Sequence, residues 1–291
     1  MKPIVTLTLN PTIDGAAEAD RVTPIHKIRT TNERHYPGGG GVNVARVLRE
    51  LGTEAIPVYL AGGATGALLD ELLVAQGFAP IRVGIAGPTR ISHAVFERET
   101  GLEYRFVPEG PEVTGEDLER ALAALAAIDF DWLVASGSLP RGLPPDAYGP
   151  VARLAAAKGA QFVLDTSGPA LSAAIGTAPV HLIKPSLGEF RALVGAAPET
   201  DAGIAAAANR LRAEGRVEFV AVTLGQDGAV LAGPRGVIRR RPPELPVASA
   251  TGAGDSFLGG MVHALARGAM PEAAFDWGMA AGAAAVLTPG T

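Results

Sequence analysis

The stretch SATGAGDSFLGG, residues 249–260, sets glycines and one carboxylate directly before an apolar helical pattern. Gly252, Ala253 and Gly254 precede Asp255. Free backbone N–H groups in the first turn of a helix, together with the helix dipole, form a site for an anion. Asp255 either caps this helix, which the spacing alone slightly favours, or acts as a general base toward a substrate hydroxyl. In the second case, the neighbouring N–H groups would stabilise the charge on a transferring phosphoryl group.

A second candidate site, HLIKPSLGEF at 181–190, contains a lysine and, five residues later, a glutamate. The proline after Lys184 ends a strand, so Glu189 falls in the first turn of the next helix. Glu189 there would either stabilise the helix N-terminus or hold Mg²⁺ through water, as phosphoryl transfer requires. TLGQDGAV at 223–230 is typical of a strand followed by a glycine turn, which is a weak signal by itself.

Four consecutive glycines, in YPGGGGVNVA at 36–45, precede another apolar helical pattern. Glycine permits positive φ and the close approach of a ligand to the backbone. A dinucleotide fingerprint would need a preceding core strand and an acidic residue about 20 positions later, and this run has neither. Asp14 follows the first strand and would point into the ligand crevice of an α/β sheet. With Asn43 it would suit sugar hydroxyls, although a turn aspartate and a helix cap are the simpler interpretations.

Short apolar strands and alanine-rich helices must position these residues. Buried β-type runs occur at 4–9, 132–136, 161–165 and 217–225, with helical stretches such as 115–128 and 146–159 between them. This alternation predicts βαβ units and a mostly parallel sheet. Residues 14–36 and 90–107 are more polar and have β-type alternation, with a hairpin around ETG at 99–101, which predicts either an edge extension or a small lid. Without an internal repeat or long linker, we expect one domain over 1–291.

The composition excludes several classes of function. Of the 291 residues, 47% are hydrophobic and none is cysteine, which excludes disulfides, thiolate metal sites and cysteine nucleophiles. The 25 lysines and arginines against 30 aspartates and glutamates give a net charge of −5, which argues against nucleic acid as the main partner. With neither a basic leader nor an uninterrupted apolar segment of membrane-spanning length, we expect a cytoplasmic protein with no membrane partner.

These motifs together resemble those of the ribokinase-like (PfkB) carbohydrate kinase family. ATGAGDS at 250–256 is similar to the family's carboxyl-terminal signature and PGGGGVNVARVLRELG at 37–52 to its amino-terminal signature. The resemblance is greatest to its 6-phosphofructokinases of the minor-isozyme type, through LAGGATGALL, YRFVPEG, SGSLPRG, DTSGPAL and LTPGT. Related 1-phosphofructokinases and tagatose-6-phosphate kinases usually carry a lysine within the glycine stretch, where this chain has only glycine.

The resemblance implies a three-layer α/β fold with a mostly parallel central sheet and a small β-sheet lid. It implies ATP-dependent phosphorylation of fructose 6-phosphate at the C1 hydroxyl, with Mg²⁺ and a K⁺ site. The alternative is the 1-phosphofructokinase or tagatose-6-phosphate kinase reaction. A homodimer formed through the lid is also implied. Two other classes stay open: a nicotinamide-dependent oxidoreductase, suggested only by glycine-rich turns, and a sugar-phosphate-binding regulator that has lost catalysis.

The resemblance further implies roles for individual residues. Asp255 would be the general base, and Gly252, Ala253 and Gly254 would form the anion hole. The sugar phosphate would be bound by Asp14, Gly38, Gly39, Asn43, Arg90, Arg105, Ser138 and Lys27, with Arg90 on the 6-phosphate. ATP would be bound by Lys184, Ser186, Thr223, Gly225 and Gly228. Glu189 would hold Mg²⁺ through water, and the K⁺ loop would comprise Ser249, Thr251, Ala285, Thr288 and Gly290. Because Ser186 replaces the asparagine of the family's N-x-x-E motif, we expect weakened or rearranged Mg²⁺ handling.

Overall fold

The computed structural model of the chain describes residues 1–195, 198, 200–214, 217–246, 249 and 251–287. Its strands are β1 (Ile4–Thr8), β2 (Thr12–Ala19), β3 (Thr31–Gly38), β4 (Ala55–Ala61), β5 (Ile81–Gly84), β6 (Arg90–Glu97), β7 (Glu103–Phe106), β8 (Trp132–Ser136), β9 (Gln161–Asp165), β10 (Val180–Ile183), β11 (Val217–Thr223), β12 (Ala229–Gly233) and β13 (Gly236–Arg240). Its α-helices are α1 (Gly40–Glu50), α2 (Gly63–Ala75), α3 (Gly115–Ala126), α4 (Tyr148–Ala157), α5 (Pro169–Ile175), α6 (Leu187–Val194), α7 (Asp201–Ala213), α8 (Ala253–Ala266) and α9 (Pro271–Ala285).

The main sheet has nine strands among the described residues, in the order β13-β12-β11-β10-β9-β8-β1-β4-β5. The strands from β11 to β5 in this order pair in parallel, and only β12 and β13 pair antiparallel. Both faces are covered, since Val5 and Leu7 of β1 pack in one apolar cluster and Ile4 packs in the other. Because strands buried on both faces have no polar side, they read as continuous apolar runs. The predicted mostly parallel α/β fold is confirmed.

The segments that interrupt this pattern form a second sheet of four strands, in the order β3-β2-β6-β7. It is separate from the main sheet, so the edge-extension interpretation is wrong. β2 pairs antiparallel with β3 and parallel with β6, and β6 and β7 form the predicted hairpin around residues 99–101. We call these four strands the small sheet. No helix within the described ranges is long and apolar enough to cross a membrane.

Candidate active site

Asp255 and Asn43 meet where helices α8 and α1 begin. Asn43 Nδ2 donates a hydrogen bond of 2.8 Å to Asp255 Oδ2, although the two residues are 212 positions apart in the chain. The N-cap of α8 is Gly252, at a φ of 76°, and no side chain caps this helix. The simpler interpretations of both residues, as helix caps, are therefore wrong, because the capping positions belong to Gly252 and Gly39. The first N–H groups of α8 are left without a capping side chain beside the Asp255 carboxylate.

The electrostatic surroundings of Asp255 suit a proton acceptor. Burial raises the pKa of Asp255 to about 6, and the negative charge of Asp165 adds to this, while Asn43 and Lys184 oppose it. Lys184 Nζ lies 3.2 Å from Asp165 Oδ1. Although burial lowers the pKa of Lys184, the carboxylates of Asp165 and Asp255 raise it further, so the ammonium stays charged. A carboxylate with a pKa closer to neutrality is a better general base at physiological pH.

The glycine run presses the start of α1 against its neighbours. A Cβ on Gly38 would overlap the Asp14 carboxylate, and one on Gly40 would overlap Ser136 Oγ. Gly39 has a φ of 107°, a conformation that side chains rarely adopt. The absence of side chains is thus required by the close contact with Asp14 and with the end of β8. This packing sets Asp14 directly against the glycine backbone.

Asp14 lies in strand β2, so its interpretation as a turn residue is also wrong. It is directly opposite Ser92 of β6, and Ser92 Oγ donates a hydrogen bond to Asp14 Oδ1. Sequence reasoning missed Ser92. The signal was present in the spacing, because residues two apart in a strand share a face and Arg90 is two positions earlier. The pairing of β2 with β6 brings both side chains to the Asp14 side of the small sheet.

Arg90 binds three backbone carbonyls of the surrounding loops. Its Nε donates to Pro11 O at 3.3 Å, its Nη1 to Pro108 O at 2.8 Å and its Nη2 to Asn10 O at 2.9 Å. Since a guanidinium has five N–H donors, two remain for a phosphate. The short loop before Arg90 packs closely on α2, where a Cβ on Gly62 would overlap Ile85 O and Gly87 O. This steric overlap explains why LAGGATGALL has a glycine at position 62.

The other residues predicted to bind the sugar differ in their placement. Arg105 Nη1 donates to Thr251 Oγ1 at 3.1 Å and so connects the small sheet with the loop before α8. Ser138 is exposed and accepts a hydrogen bond of 3.4 Å from Asn10 Nδ2. Lys27 lies in the exposed segment between β2 and β3 and contacts none of the described predicted site residues through a hydrogen bond or ion pair. Its role stays a prediction.

The residues predicted to bind ATP lie at the carboxyl ends of the neighbouring strands β10 and β11. Thr223 N donates to Pro185 O at 3.0 Å, and Ser186 forms a bridge with Thr223. Lys184 Nζ would lie 3.2 Å from a Cβ on Gly254, which places the ammonium against the predicted anion hole. The turn after β11 contains Gly225 and Gly228, with φ values of 61° and 95°.

Glu189 could hold a hydrated Mg²⁺. Ser186 and Glu189 form a capping box at the start of α6, in which Glu189 Oε2 accepts from Ser186 N at 2.7 Å and from Ser186 Oγ at 2.8 Å. Both interpretations of Glu189 are thus compatible, because its second oxygen takes no part in the box. The described residues contain no group of three or more carboxylates and histidines that could hold a metal ion. This donor set fits Mg²⁺ that keeps water and phosphate ligands.

The predicted K⁺ loop is described only in part. Thr251 N donates to Ser249 Oγ at 3.2 Å, and Ser249 N donates to Val286 O at 3.4 Å, so the loop before α8 lies next to the end of α9, where Ala285 is. These hydroxyl and carbonyl oxygens are suitable ligands for a monovalent cation. Thr288 and Gly290 lie outside the described residues.

Asp165 is a further polar residue at the carboxyl ends of the main-sheet strands, and the sequence analysis assigned it no role. It ends strand β9, and its Oδ2 accepts a hydrogen bond of 3.2 Å from Ser136 Oγ. The signal was its position at the carboxyl end of a parallel strand, where ligands of open α/β sheets bind. Two of the carboxylates in the site, Asp165 and Asp255, therefore lie near the ammonium of Lys184.

A mostly parallel α/β sheet with apolar clusters on both faces, a carboxylate at an uncapped helix start and a glycine run packed against a second carboxylate are typical of a class of small-molecule kinases. Residues 7–291 match the model of the pfkB family carbohydrate kinases, and the chain belongs to this family. It is 41% identical over 291 residues to "ATP-dependent 6-phosphofructokinase isozyme 2" of Mycobacterium tuberculosis, covering 99% of this chain and 85% of that protein. The protein of the same name from Escherichia coli K12 is 35% identical, with 100% and 94% covered. A 1-phosphofructokinase of Rhodobacter capsulatus is 33% identical, with 91% and 84% covered.

Solved structures of phosphofructokinase-2 from Escherichia coli share the fold at 35% identity. The complex with potassium has a TM-score of 0.96 and covers 100% of this chain and 94% of that one. The complex with fructose-6-phosphate has a TM-score of 0.94, with 99% and 94% covered. The tetrameric inhibited form has a TM-score of 0.95, with 99% and 95% covered. The predicted family and fold are confirmed.

Proposed function

We propose that the protein transfers the γ-phosphoryl group of ATP to the C1 hydroxyl of fructose 6-phosphate, giving fructose 1,6-bisphosphate and ADP. The observation that carries this proposal is Asp255, held by Asn43 in the first turn of a helix that no side chain caps. A base and an anion site at one helix start are what phosphoryl transfer to a hydroxyl requires. The names of the 6-phosphofructokinase relatives support the choice of fructose 6-phosphate.

In this reaction, the oxygen of the C1 hydroxyl forms a bond to the γ-phosphorus of ATP, and the bond from that phosphorus to the ADP oxygen breaks. Asp255 accepts the proton that the hydroxyl loses. The N–H groups at Gly252, Ala253 and Gly254 stabilise the charge on the transferring group. The ammonium of Lys184, buried beside Asp255, adds positive charge on the ATP side. Mg²⁺ held by Glu189 through water would supply neutralisation of the phosphate oxygens.

The sugar would lie between the glycine run and the small sheet. Asp14, which accepts a hydrogen bond from Ser92, would accept from sugar hydroxyls, and Asn43, which donates to Asp255, would donate to them. The two N–H donors of Arg90 that bind no carbonyl would hold the 6-phosphate, since guanidinium matches phosphate oxygens in a fork. Ser138, Arg105 and Lys27 would complete the sugar phosphate site, and the small sheet would act as its lid.

We also propose Mg²⁺ and K⁺ as cofactors, a homodimer formed through the small sheet, and a cytoplasmic location, where ATP and sugar phosphates occur. The potassium complex of the Escherichia coli relative supports K⁺. Exposed apolar side chains on and beside β6 and β7 support an interface there, namely Phe96, Leu102, Phe106 and Val107. The second candidate reaction, phosphorylation of fructose 1-phosphate, is favoured by the 33% identity to a 1-phosphofructokinase.

A coupled assay of ADP release tests the proposal against fructose 6-phosphate, fructose 1-phosphate, tagatose 6-phosphate, fructose and ribose, with Mg²⁺ and with or without K⁺. We expect the highest kcat/KM with fructose 6-phosphate. Asp255→Asn should reduce kcat by about 10²–10⁴-fold while ATP binding is retained. The matched control is Asp276→Asn, whose exposed carboxylate forms an ion pair with Arg240 on β13 and not with the residues around Asp255.

Other results would contradict the proposal in distinct ways. Higher turnover of another sugar phosphate would overturn the substrate and keep the role of Asp255. An Asp255→Asn protein with a kcat equal to that of Asp276→Asn would overturn the general base. No turnover of any of these sugars by the wild type would favour a sugar-phosphate-binding protein without catalysis.

A further inference from the structure

Asn10 is a buried amide, 5% exposed, that follows the end of β1. Its Nδ2 donates hydrogen bonds of 3.0 Å to Glu109 O and 3.4 Å to Ser138 Oγ. The backbone carbonyl of Asn10 accepts a hydrogen bond of 2.9 Å from Arg90 Nη2. Asn10 thus contacts both Ser138 and Arg90, two of the residues proposed to bind the sugar phosphate.

Asn10 also joins two of the links between the small sheet and the main sheet. The chain enters the small sheet through residues 9–11, after β1, which we call the entry link. It leaves the small sheet for the last time through residues 107–114, between β7 and α3, which we call the exit link. The hydrogen bond from Asn10 Nδ2 to Glu109 O connects the entry link with the exit link. Arg90 Nη1 binds Pro108 O at 2.8 Å and Arg141 Nη2 binds Gly110 O at 3.3 Å in the same exit link. The orientation of the small sheet over the site therefore depends on these bonds.

The exit link is shaped around the Asn10 side chain. Gly110 has a φ of 96°, and a Cβ there would overlap Asn10 Oδ1 and lie 3.2 Å from Arg90 Cδ. Exchanging the amide N and O would turn Oδ1 toward the carbonyl of Glu109, so the hydrogen bonds fix the assignment. Asn10 Oδ1 is buried and finds no hydrogen-bond partner among the described residues. A buried amide oxygen without a partner lowers stability, so stability alone does not explain an amide here.

We propose that Asn10 is a positioning residue for the sugar phosphate, an inference that rests on the proposed function. Its Nδ2 holds Ser138 and, at Glu109 O, the exit link of the small sheet, and this link in turn binds Arg90 through Pro108 O. Without the amide, Ser138 and the exit link lose their bonds to residue 10, while the bond from Arg90 to the backbone carbonyl of residue 10 remains. The ATP side, at Lys184 and Thr223, makes no contact with Asn10 among the hydrogen bonds of the described residues, so ATP binding stays unchanged.

The test compares Asn10→Ala and Asn10→Asp with wild type in steady-state kinetics with fructose 6-phosphate and ATP. Asn10→Asp keeps the shape but has no N–H, so it would set two acceptors against each other at Glu109 O. We expect KM for fructose 6-phosphate to rise about tenfold, as the loss of one or two hydrogen bonds gives, with KM for ATP unchanged. Combining Asn10→Ala with Ser138→Ala should give less than the product of the two single effects, because the residues act together.

The matched control is Thr53→Ala, which removes a buried hydrogen bond of 2.6 Å to His263 Nδ1. Thr53 precedes the amino end of β4, whereas Asn10 follows the carboxyl end of the parallel neighbour β1. It should lower Tm without changing either KM. Asn10 variants that change Tm but neither KM, or that raise both KM values equally, would overturn the inference while the proposed function stands. Thermal shifts induced by fructose 6-phosphate give a readout without turnover. If none of the sugar phosphates raises the Tm of the wild-type protein, both the inference and the proposed function are overturned.

Discussion

Asp255 is a carboxylate whose proton affinity is set by residues far away in the chain. Burial and the charge of Asp165 raise its pKa, and the Asn43 amide and the Lys184 ammonium limit that increase. These neighbours come from β9, α1 and the end of β10. The same residue type at an exposed helix start would have an ordinary acidity and would be a weaker base near neutral pH.

The pH profile of kcat should show this ionisation. Asp255 accepts a proton only when it is ionised, so with a pKa of about 6 the rate should be constant above that pH and decrease below it. The expected slope is about tenfold per pH unit in measurements from about pH 5 to pH 8 with both substrates saturating. A rate that stays constant down to pH 5 would contradict the assignment. The residual rate of Asp255→Asn should lack this inflection.

The ionised form of Asp255, which catalysis needs, is disfavoured in the folded protein. Ionisation of Asp255 should therefore lower the free energy of unfolding. Its pKa in the folded protein, about 6, is above its ordinary value of 3.8, so its contribution to the free energy of unfolding is largest at acidic pH and decreases as pH rises through about 6. Asp255→Asn removes this ionisation. The inactive variant should therefore be no less stable than wild type at pH 8, which separates loss of catalysis from loss of fold.

Arg90 supports the loops and has two donors left for a phosphate. Arg90→Ala should raise KM for fructose 6-phosphate at least about tenfold, since charge-assisted hydrogen bonds are lost, and change KM for ATP little. The control is Arg98→Ala, which removes ion pairs with Glu18 and Asp20 at the outer end of the small sheet. Equal increases of both KM values for Arg90→Ala would mean that Arg90 organises the site without binding the phosphate.

At the scale of elements, helix starts deliver much of the site. The first turn of α8 carries Asp255, α1 begins within the glycine run and has Asn43 in its first turn, and the first turn of α6 carries Glu189. The first two begin at glycines without a capping side chain, whereas α6 has a full capping box with Ser186. Free N–H groups are thus kept where a ligand would use them, and α6 is stabilised by its own side chains.

The capping box at Ser186 separates a structural from a metal-binding effect. Ser186→Ala should lower the free energy of unfolding by about 1 kcal/mol, measured by urea denaturation. Ser186→Asn keeps an equally good cap and restores the family's N-x-x-E pattern, so it should lower the Mg²⁺ concentration for half-maximal rate without loss of stability. Thr200→Ala, at the N-cap of α7, should lower stability with no effect on Mg²⁺. A Mg²⁺ requirement unchanged by Ser186→Asn would show that Ser186 does not weaken metal handling.

At the scale of the whole molecule, the site lies between two sheets of different construction. The main sheet has apolar clusters on both faces and brings Asp165, Lys184 and Thr223 to the carboxyl ends of its strands. The small sheet carries Asp14, Arg90 and Arg105 and leaves apolar side chains exposed at β7, where Phe106 is 59% exposed. An exposed apolar edge strand is suited to association with a second copy of the chain.

Association through β7 should be sensitive to a charge at Phe106, the last residue of this strand. We expect the wild type to sediment as a dimer or a larger assembly and Phe106→Glu to shift toward a monomer of 29.7 kDa in sedimentation velocity. The control is Val74→Glu, at a residue that is 58% exposed in the last turn of α2 and is not part of the small sheet. A monomeric wild type, or identical assembly of both variants, would contradict an interface at β7.

Much of the fold followed from local sequence patterns. Continuous apolar runs such as 4–9 and 161–165 predicted buried parallel strands, and the structure places strands at Ile4–Thr8 and Gln161–Asp165. Polar β-type alternation predicted strands at 14–36 and 90–107 but left open whether they join the main sheet, because alternation reports one buried face and no pairing partner. The glycines before α1 and α8 likewise marked both helix starts.

The sequence by itself determined the types of residue available, the order of strands and helices, and the two glycine-opened helix starts, because backbone preferences and apolar periodicity act over a few residues. Only the tertiary structure decided that Asn43 binds Asp255 across 212 positions and that Ser92 holds Asp14 across 78. It alone decided that three donors of Arg90 bind carbonyls and that Asn10 joins two links of the small sheet. These contacts depend on how separate elements are paired and packed, which no local pattern specifies.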